Sequence, residues 1–387
     1  MTDLTHLPTG HGRRIAPRTR LDPYPRNTLT RWLVRLAFAV PFVIVSILAS
    51  FGGEHGESRN DLLIARAAEI DWSRGDPQWL AQLYPPIPTL FALAAPDALL
   101  LAIIGSLIAG IFIQWMMEIM VQRRLPVTTV AILLVALAAN PLFAYLATEN
   151  LPVILALAFF GRGISDTVRF VRWGNTQAGF NAGLMFMFAT LSDLSSLLYV
   201  ASLVLTVPFL PVGRRHQSGA KWANMLVLVF PTLSALGTWV VLNLAFLGTP
   251  FGTDTPFAGA AAGAASLSAL LSPSGFLIMA SVLSAWVIAL IVRRPGAIIV
   301  STLVFGTILL GVAVGITAPT AVGITYILML LLAIAFIPAA RKPGAIIMVD
   351  LVAIAQIWIA WATALSRDIT VDWLQAVVEG ARALFGL

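Results

Sequence analysis

The sequence predicts an all-α polytopic membrane protein with about eleven transmembrane helices. Three observations lead there. The 387-residue chain is 59% hydrophobic and only 11% charged, with mean hydropathy +0.89, whereas soluble domains carry roughly 25% charged residues. Its apolar residues fall in blocks close to the ~20 that cross a bilayer as helix. Basic residues gather in short stretches between those blocks, and they are arginines almost throughout, Lys221 and Lys342 being the only lysines. That placement is the signature of membrane orientation rather than of nucleic-acid binding. The alternating ten-residue pattern of an outer-membrane barrel is missing.

Residues 1–31 are rich in Pro and Arg (Arg13, Arg14, Arg18, Arg20, Arg26 and Arg31) and read as a basic cytoplasmic tail on an anionic leaflet. This stretch lacks the layout of a cleavable signal peptide, because about 30 polar residues precede the first apolar block. The transmembrane domain is expected over 32–365. Its first span is Trp32–Phe51, followed by an exoplasmic loop over 52–96. Further spans are expected near 97–121, 127–147, 151–170, 177–192, 194–212, 222–247, 274–292, 296–317, 320–339 and 344–365. Residues 177–212 hold two short spans, or one broken helix or a re-entrant pair, around Leu191-Ser192-Asp193. The 249–273 connection is rich in Gly, Ala, Pro and Ser. Residues 366–387 predict an exoplasmic amphipathic helix lying on the membrane, with Ile369, Trp373, Val377 and Ala381 on one face.

With the N-terminus inside, the loops alternate in charge. Of 24 basic residues, all but Arg59, Arg66, Arg74, Arg367 and Arg382 fall on the inner side. The expected setting is therefore a plasma membrane, with a cytoplasmic N-terminus and an extracytoplasmic C-terminus. No Cys is present, which excludes thiol catalysis, disulfides and cysteine-ligated metal. His6, His11, His55 and His216 show no metal-ligand spacing, so no metal site is predicted.

The first loop is the one long polar interval between spans. It holds Glu54, Glu57, Asp61, Glu69, Asp71 and Asp76, six of the eighteen carboxylates. Asn60 is an N-cap type, predicting a helix from Asp61 to about Trp72. Asp61 would then stand in the first turn, where the helix dipole favours the ionised carboxylate, suited to accept a proton from a hydroxyl. Arg59 and Arg66, seven apart, would line one side. Trp72, Trp79 and Tyr84 are rings suited to the headgroup layer or to stacking on sugar. The plainer reading is a solvated acidic loop with belt aromatics.

The pattern Asp61-x7-Glu69, Gly75-Asp76-Pro77, Tyr84-Pro85-Pro86-x-Pro88-x-Leu90-Phe91-x-Leu93 and Pro96 resembles the first exoplasmic loop of the glycosyltransferase C (GT-C) superfamily. It is most similar to the actinobacterial-type members that use polyprenyl-phosphate sugars. Ala139-Asn140-Pro141 with Glu149-Asn150-Leu151-Pro152 resembles that superfamily's third and fourth spans. Trp239-x3-Asn243-x-Ala245-Phe246-x-Gly248-x-Pro250 is similar to a later recurrent segment. The resemblance covers residues 32–250.

It implies an inverting membrane glycosyltransferase, moving a sugar such as mannose or arabinose from a polyprenyl phosphate to an extracytoplasmic glycan or glycolipid of the cell envelope. Asp61 matches the catalytic base. Arg59 and Arg66 are the nearest cations for the donor phosphate, with a divalent cation as the other option, and Glu69, Trp72, Tyr84, Glu149 and Asp193 are candidates for substrate contact. One departure matters. Members often carry a basic residue where this chain has Ser192-Asp193-Leu194, and an acid there repels phosphate. Either the donor is held differently, or the chain is an inactive subunit that scaffolds an envelope-assembly complex with other membrane proteins. A lipid or small-molecule transporter is a further alternative, disfavoured because no interrupted spans recur in both halves.

Arg162 and Asp166, four apart, are expected to pair on one helix face. They lie either at mid-bilayer, where a charge is a functional hypothesis, or at the inner interface beside Arg169 and Arg172.

Overall fold

The structure, a computed structural model, describes residues 23–53, 58–72, 83–122, 124–173, 175–207, 220–250 and 343–386, together with Gly56, Trp79 and isolated positions between 286 and 313. The basic tail before residue 23, most of the 249–273 connection and almost all of the three spans expected over 274–339 lie outside the described residues.

Among the described residues every regular element is helical: α1 (Thr28–Phe51), α2 (Arg59–Ala68), α3 (Pro86–Ala94), α4 (Ala98–Gln122), α5 (Val127–Ala138), α6 (Pro141–Glu149), α7 (Leu151–Trp173), α8 (Thr176–Ser192), α9 (Ser196–Thr206), α10 (Ala220–Leu247), α11 (Pro343–Leu365) and α12 (Asp368–Phe385). Helices α1, α4, α7, α10 and α11 are each long and apolar enough to cross a membrane, and α5 with α6 makes a sixth if a bent pair counts as one span. Several such helices mark a multi-pass membrane protein.

The span expected over 127–147 is bent by 54° where α5 meets α6. The cause is local. Pro141 cannot donate to the preceding turn, and the Asn140 side chain instead accepts from the amides of Leu142 (2.9 Å) and Phe143 (3.2 Å), starting a new helix. Of the stretch 177–212, residues up to 207 are described and form two helices, α8 and α9, separated by Asp193, Leu194 and Ser195.

Helices that follow one another along the chain as crossings run in alternating directions. Arg35 of α1 meets Gln114 of α4 and Ser46 meets Ser106, so these two are antiparallel. Helix α7 runs parallel to α4, since Gly105 lies by Ile154 while Glu118 lies by Arg169. Helix α8 returns antiparallel to α7, Gly163 facing Phe186 and Gly179 facing Phe170. This is the order that successive membrane crossings require.

Small residues set the closest approaches, as expected where lipid removes the hydrophobic drive between helices. Gly52 lies against the backbone of Ala376, and Gly380 against the backbone of Leu48, so α12 runs antiparallel to α1 across an interface without room for a Cβ on either glycine. The apolar face expected on α12 is present, and protein covers it. Trp373 is 2% exposed and meets Tyr145 edge-on at 5.7 Å, while Ile369 and Val377 pack against the same core. The amphipathic face expected to rest on lipid is thus spent on helix packing.

Candidate functional site

At the end of the bundle where α1 finishes and α7 begins, the polar loop folds down onto the helices. The helix there starts two residues earlier than its sequence implied and ends at Ala68, short of Trp72. Ser58, not Asn60, is the N-cap. The Asp61 amide donates to Ser58 Oγ (3.1 Å), while the Ser58 amide and hydroxyl donate to Asp61 Oδ2 (3.1 and 2.7 Å). This reciprocal box satisfies donors that a helix start otherwise leaves open.

Asn60 performs a different task. It is 1% exposed, its Nδ2 donates to the Thr148 carbonyl (2.8 Å), and its Oδ1 accepts from the Leu151 amide (2.9 Å). One side chain therefore closes the last turn of α6 and the first turn of α7, groups that helix ends leave unpaired, and pins the loop helix to that corner.

Arg59 and Arg66 lie on the same side of α2, as their spacing predicts. Arg66 Nη1 donates to the Tyr84 carbonyl (3.2 Å). The Tyr84 hydroxyl donates to the Thr190 carbonyl of α8 (2.8 Å), and its ring stands 5.3 Å from that of Trp239 on α10. Asp193 completes the group. It follows α8, accepts a hydrogen bond from the Ser195 hydroxyl and feels the charge of Arg59.

Burial pushes the Asp193 carboxyl above its ordinary range, against the opposing pull of the Ser195 hydrogen bond and of Arg59. Burial likewise lowers Arg59, with Asp193 opposing and Arg66 adding to the shift. The Tyr84 phenol is driven upward by burial and by Asp193, so it stays protonated and remains a donor.

Beneath this group opens an apolar cleft of about 550 Å3 between α8 and α10, roofed by Pro86 of α3. Leu184, Met187 and Leu191 form one wall, and Pro231, Ala235 and Trp239 the other. From Phe180 to Leu191 it follows α8 for about 16 Å at 1.5 Å per residue, roughly half the ~30 Å hydrocarbon core. Its upper end is Trp239, in contact with Tyr84.

The structure brings together Arg59, Arg66, Tyr84 and Asp193 from the predicted site residues, and leaves Asp61, Glu69 and Trp72 elsewhere. Asp61 is exposed, its carboxylate taken up by Ser58. It stands about 200° round the helix from Arg59, on the face away from the cluster. Glu69 is exposed at the end of α2, and Trp72 is 54% exposed, its ring 5.3 Å from that of Trp79. Glu149 is 8% exposed at the end of α6, near Tyr145. Among the described residues no three His, Asp or Glu side chains gather as metal ligands do.

Sequence reasoning missed Asn60 as a clamp and Ser195 as the partner of Asp193. The Ser-x-x-Asp spacing of 58–61 was a legible signal for the true cap. Compared with known proteins, the chain matches no family model, no curated protein and no solved structure.

Proposed function

We propose that this chain transfers a sugar from a polyprenyl phosphate to an acceptor hydroxyl at the loop-bearing end of the bundle. The observation that carries the reading is an apolar cleft about 16 Å long whose upper end, at Trp239 and Pro86, adjoins Tyr84, with Arg66 bonded to the Tyr84 carbonyl and Arg59 and Asp193 in the same polar group. An isoprenoid chain fits the cleft by its apolar walls. Arg59 and Arg66 supply the positive charge that a departing phosphate needs. In the reaction the acceptor oxygen bonds to the anomeric carbon as the bond from that carbon to the phosphate oxygen breaks. The acceptor proton goes to a carboxylate, and the polyprenyl phosphate leaves as its monoester.

The carboxylate with the right address is Asp193, on the side of the arginines and the cleft mouth. Its raised pKa moves it toward the range where a base is effective at neutral pH. Asp61, the base that the superfamily resemblance implies, faces away and serves α2 as a capping group. The acid at 193 also has an answer to the repulsion it was expected to cause, because the charge of Arg59 offsets part of its own.

In vitro transfer from labelled polyprenyl-phosphate sugars tests this reading. Asp193→Asn should lose product by about 100-fold or more, Arg59→Gln should be impaired in donor use, and Asp61→Asn should retain most activity. Loss in Asp61→Asn with full activity in Asp193→Asn would return the base to Asp61.

The exposed, capped Asp61 favours one second reading, a subunit that binds the phospholipid donor without transferring its sugar. Wild-type protein that binds polyprenyl phosphate and yields no product with any donor and acceptor would select it.

A further inference from the structure

A second polar cluster occupies the opposite end of the same helices, built from α1, α4 and α7. Its two carboxylates are saturated from within. Glu118 accepts from Arg169 Nη2 (3.3 Å) and from Gln122 Nε2 (3.0 Å). Asp166 is paired with Arg169 Nη1 (3.1 Å) and Arg162 Nε (3.4 Å). Both acids are buried, at 6% and 3% exposure, so the network staples α4 to α7.

Two further arginines form no ion pair among the described residues, although Arg35 feels the charge of Glu118. Arg35 Nε donates to Gln114 Oε1 (3.0 Å), a neutral partner that is itself anchored to the Tyr24 carbonyl (2.7 Å). Arg31, one turn earlier, spends its donors on the carbonyls of Pro25 and Arg26. Among the described residues, Arg31, Arg35, Arg162 and Arg169 against Glu118 and Asp166 leave a local excess of two positive charges. Arg31 and Arg162 act on Arg35 as like charges and Glu118 as an opposite one, so the three guanidinium groups lie within range of one another's charge.

The surroundings point to lipid. The Arg35 guanidinium lies 4.5 Å from the ring centre of Trp32, and Arg162 lies 5.8 Å from that of Trp115. Around them α1 exposes Leu29, Trp32, Leu33, Leu36 and Val40. A cation flanked by tryptophan in the first turns of an apolar helix, as Arg35 is by Trp32, is what a headgroup layer selects. The arginines need an anion there, and acyl chains can lie along the leucines below.

We propose that this end of the bundle binds the phosphate of an anionic phospholipid from the adjoining leaflet, held by Arg31 and Arg35 of α1 and Arg162 of α7. The site is separate from the cleft and does not depend on the transfer reaction.

The test is lipid retention by the full-length protein, measured by native mass spectrometry and by thermal shift in detergent. The probes are phosphatidylglycerol, cardiolipin, phosphatidylcholine and a polyprenyl phosphate. Wild type should hold phosphatidylglycerol or cardiolipin over phosphatidylcholine. Arg35→Gln with Arg162→Gln should weaken that binding by about 30-fold, near fivefold for each basic residue, while polyprenyl phosphate binding is unchanged. The charge-conserving Arg35→Lys with Arg162→Lys should keep most of it. If the glutamine pair does not fold, Arg35→Gln alone, which breaks one neutral hydrogen bond, should still show a loss of about fivefold. Equal retention of phosphatidylcholine, or anionic lipid binding indifferent to these substitutions, overturns the proposal. So does tighter binding of polyprenyl phosphate than of phospholipid at these arginines.

Discussion

Replacing Asn60 with alanine removes both hydrogen bonds that fasten the loop helix to the bundle. The side chain is 1% exposed, and its partners, the Thr148 carbonyl and the Leu151 amide, are buried with it. Water does not reach them in the folded state, so each is left unpaired. An unpaired buried group costs about 1–3 kcal/mol, which for two groups is about 2–6 kcal/mol against docking of α2. Even the lower bound raises the open population about 30-fold, at tenfold per 1.4 kcal/mol. Amide hydrogen exchange reads this directly. The amides of 60–68 and of Leu151 should exchange at least 30-fold faster in Asn60→Ala, while the Val153 amide, capped by Asn150 (3.2 Å), keeps its protection. Asn60→Asp should also loosen the helix, because a carboxylate would face the Thr148 carbonyl without a proton to offer. Unchanged exchange across 60–68 in the alanine variant would show that the loop is held by something other than this clamp.

Three further outcomes follow from the packing and the electrostatics. Gly380→Leu drives a side chain into the Leu48 backbone and should destabilise the protein by about 1–3 kcal/mol; Gly237→Leu, whose site is open on all sides, is the control, and equal melting temperatures would refute the close approach. Asp193 holds its proton more tightly when folded than unfolded, so its basic form is lost as pH falls through the raised value. The acidic limb of transfer activity should therefore lie above the ordinary carboxylate pKa near 4, disappear in Asp193→Asn and persist in Asp61→Asn. By linkage, melting temperature should decline as pH rises from about 4 through that same value, since ionising Asp193 costs more in the folded state.

The long apolar helices α1, α4, α7, α10 and α11 were legible because hydropathy over twenty residues is a local property of the chain. The bend before Pro141 was written in Asn140-Pro141, yet it sat inside an unbroken apolar run that reads as one span. The start of α2 was misplaced because Ser58 and Asn60 are both capping types; only the partner three residues on, Asp61, distinguishes them. Asn60 as a clamp could not be read, since its partners lie 88 and 91 residues away. The electrostatic influence of Arg59 on Asp193 is of the same kind, since only the packing of α2, α3 and α8 brings the two loop ends within range. For α12 the apolar stripe was visible and its destination was not. Gly52 and Gly380 carry that information, and two isolated glycines in a chain with 29 of them mark nothing by themselves.

A photoreactive polyprenyl phosphate, cross-linked to the protein in membranes and mapped by mass spectrometry, tests the central claim most directly. The account predicts label from the chain on α8 and α10, at Leu184, Met187, Ala235 and their neighbours, with labelling weakened when Arg59 or Arg66 is replaced by glutamine. Label on the outward face of α2 around Asp61, or label in the cleft that is indifferent to both arginines, would contradict it.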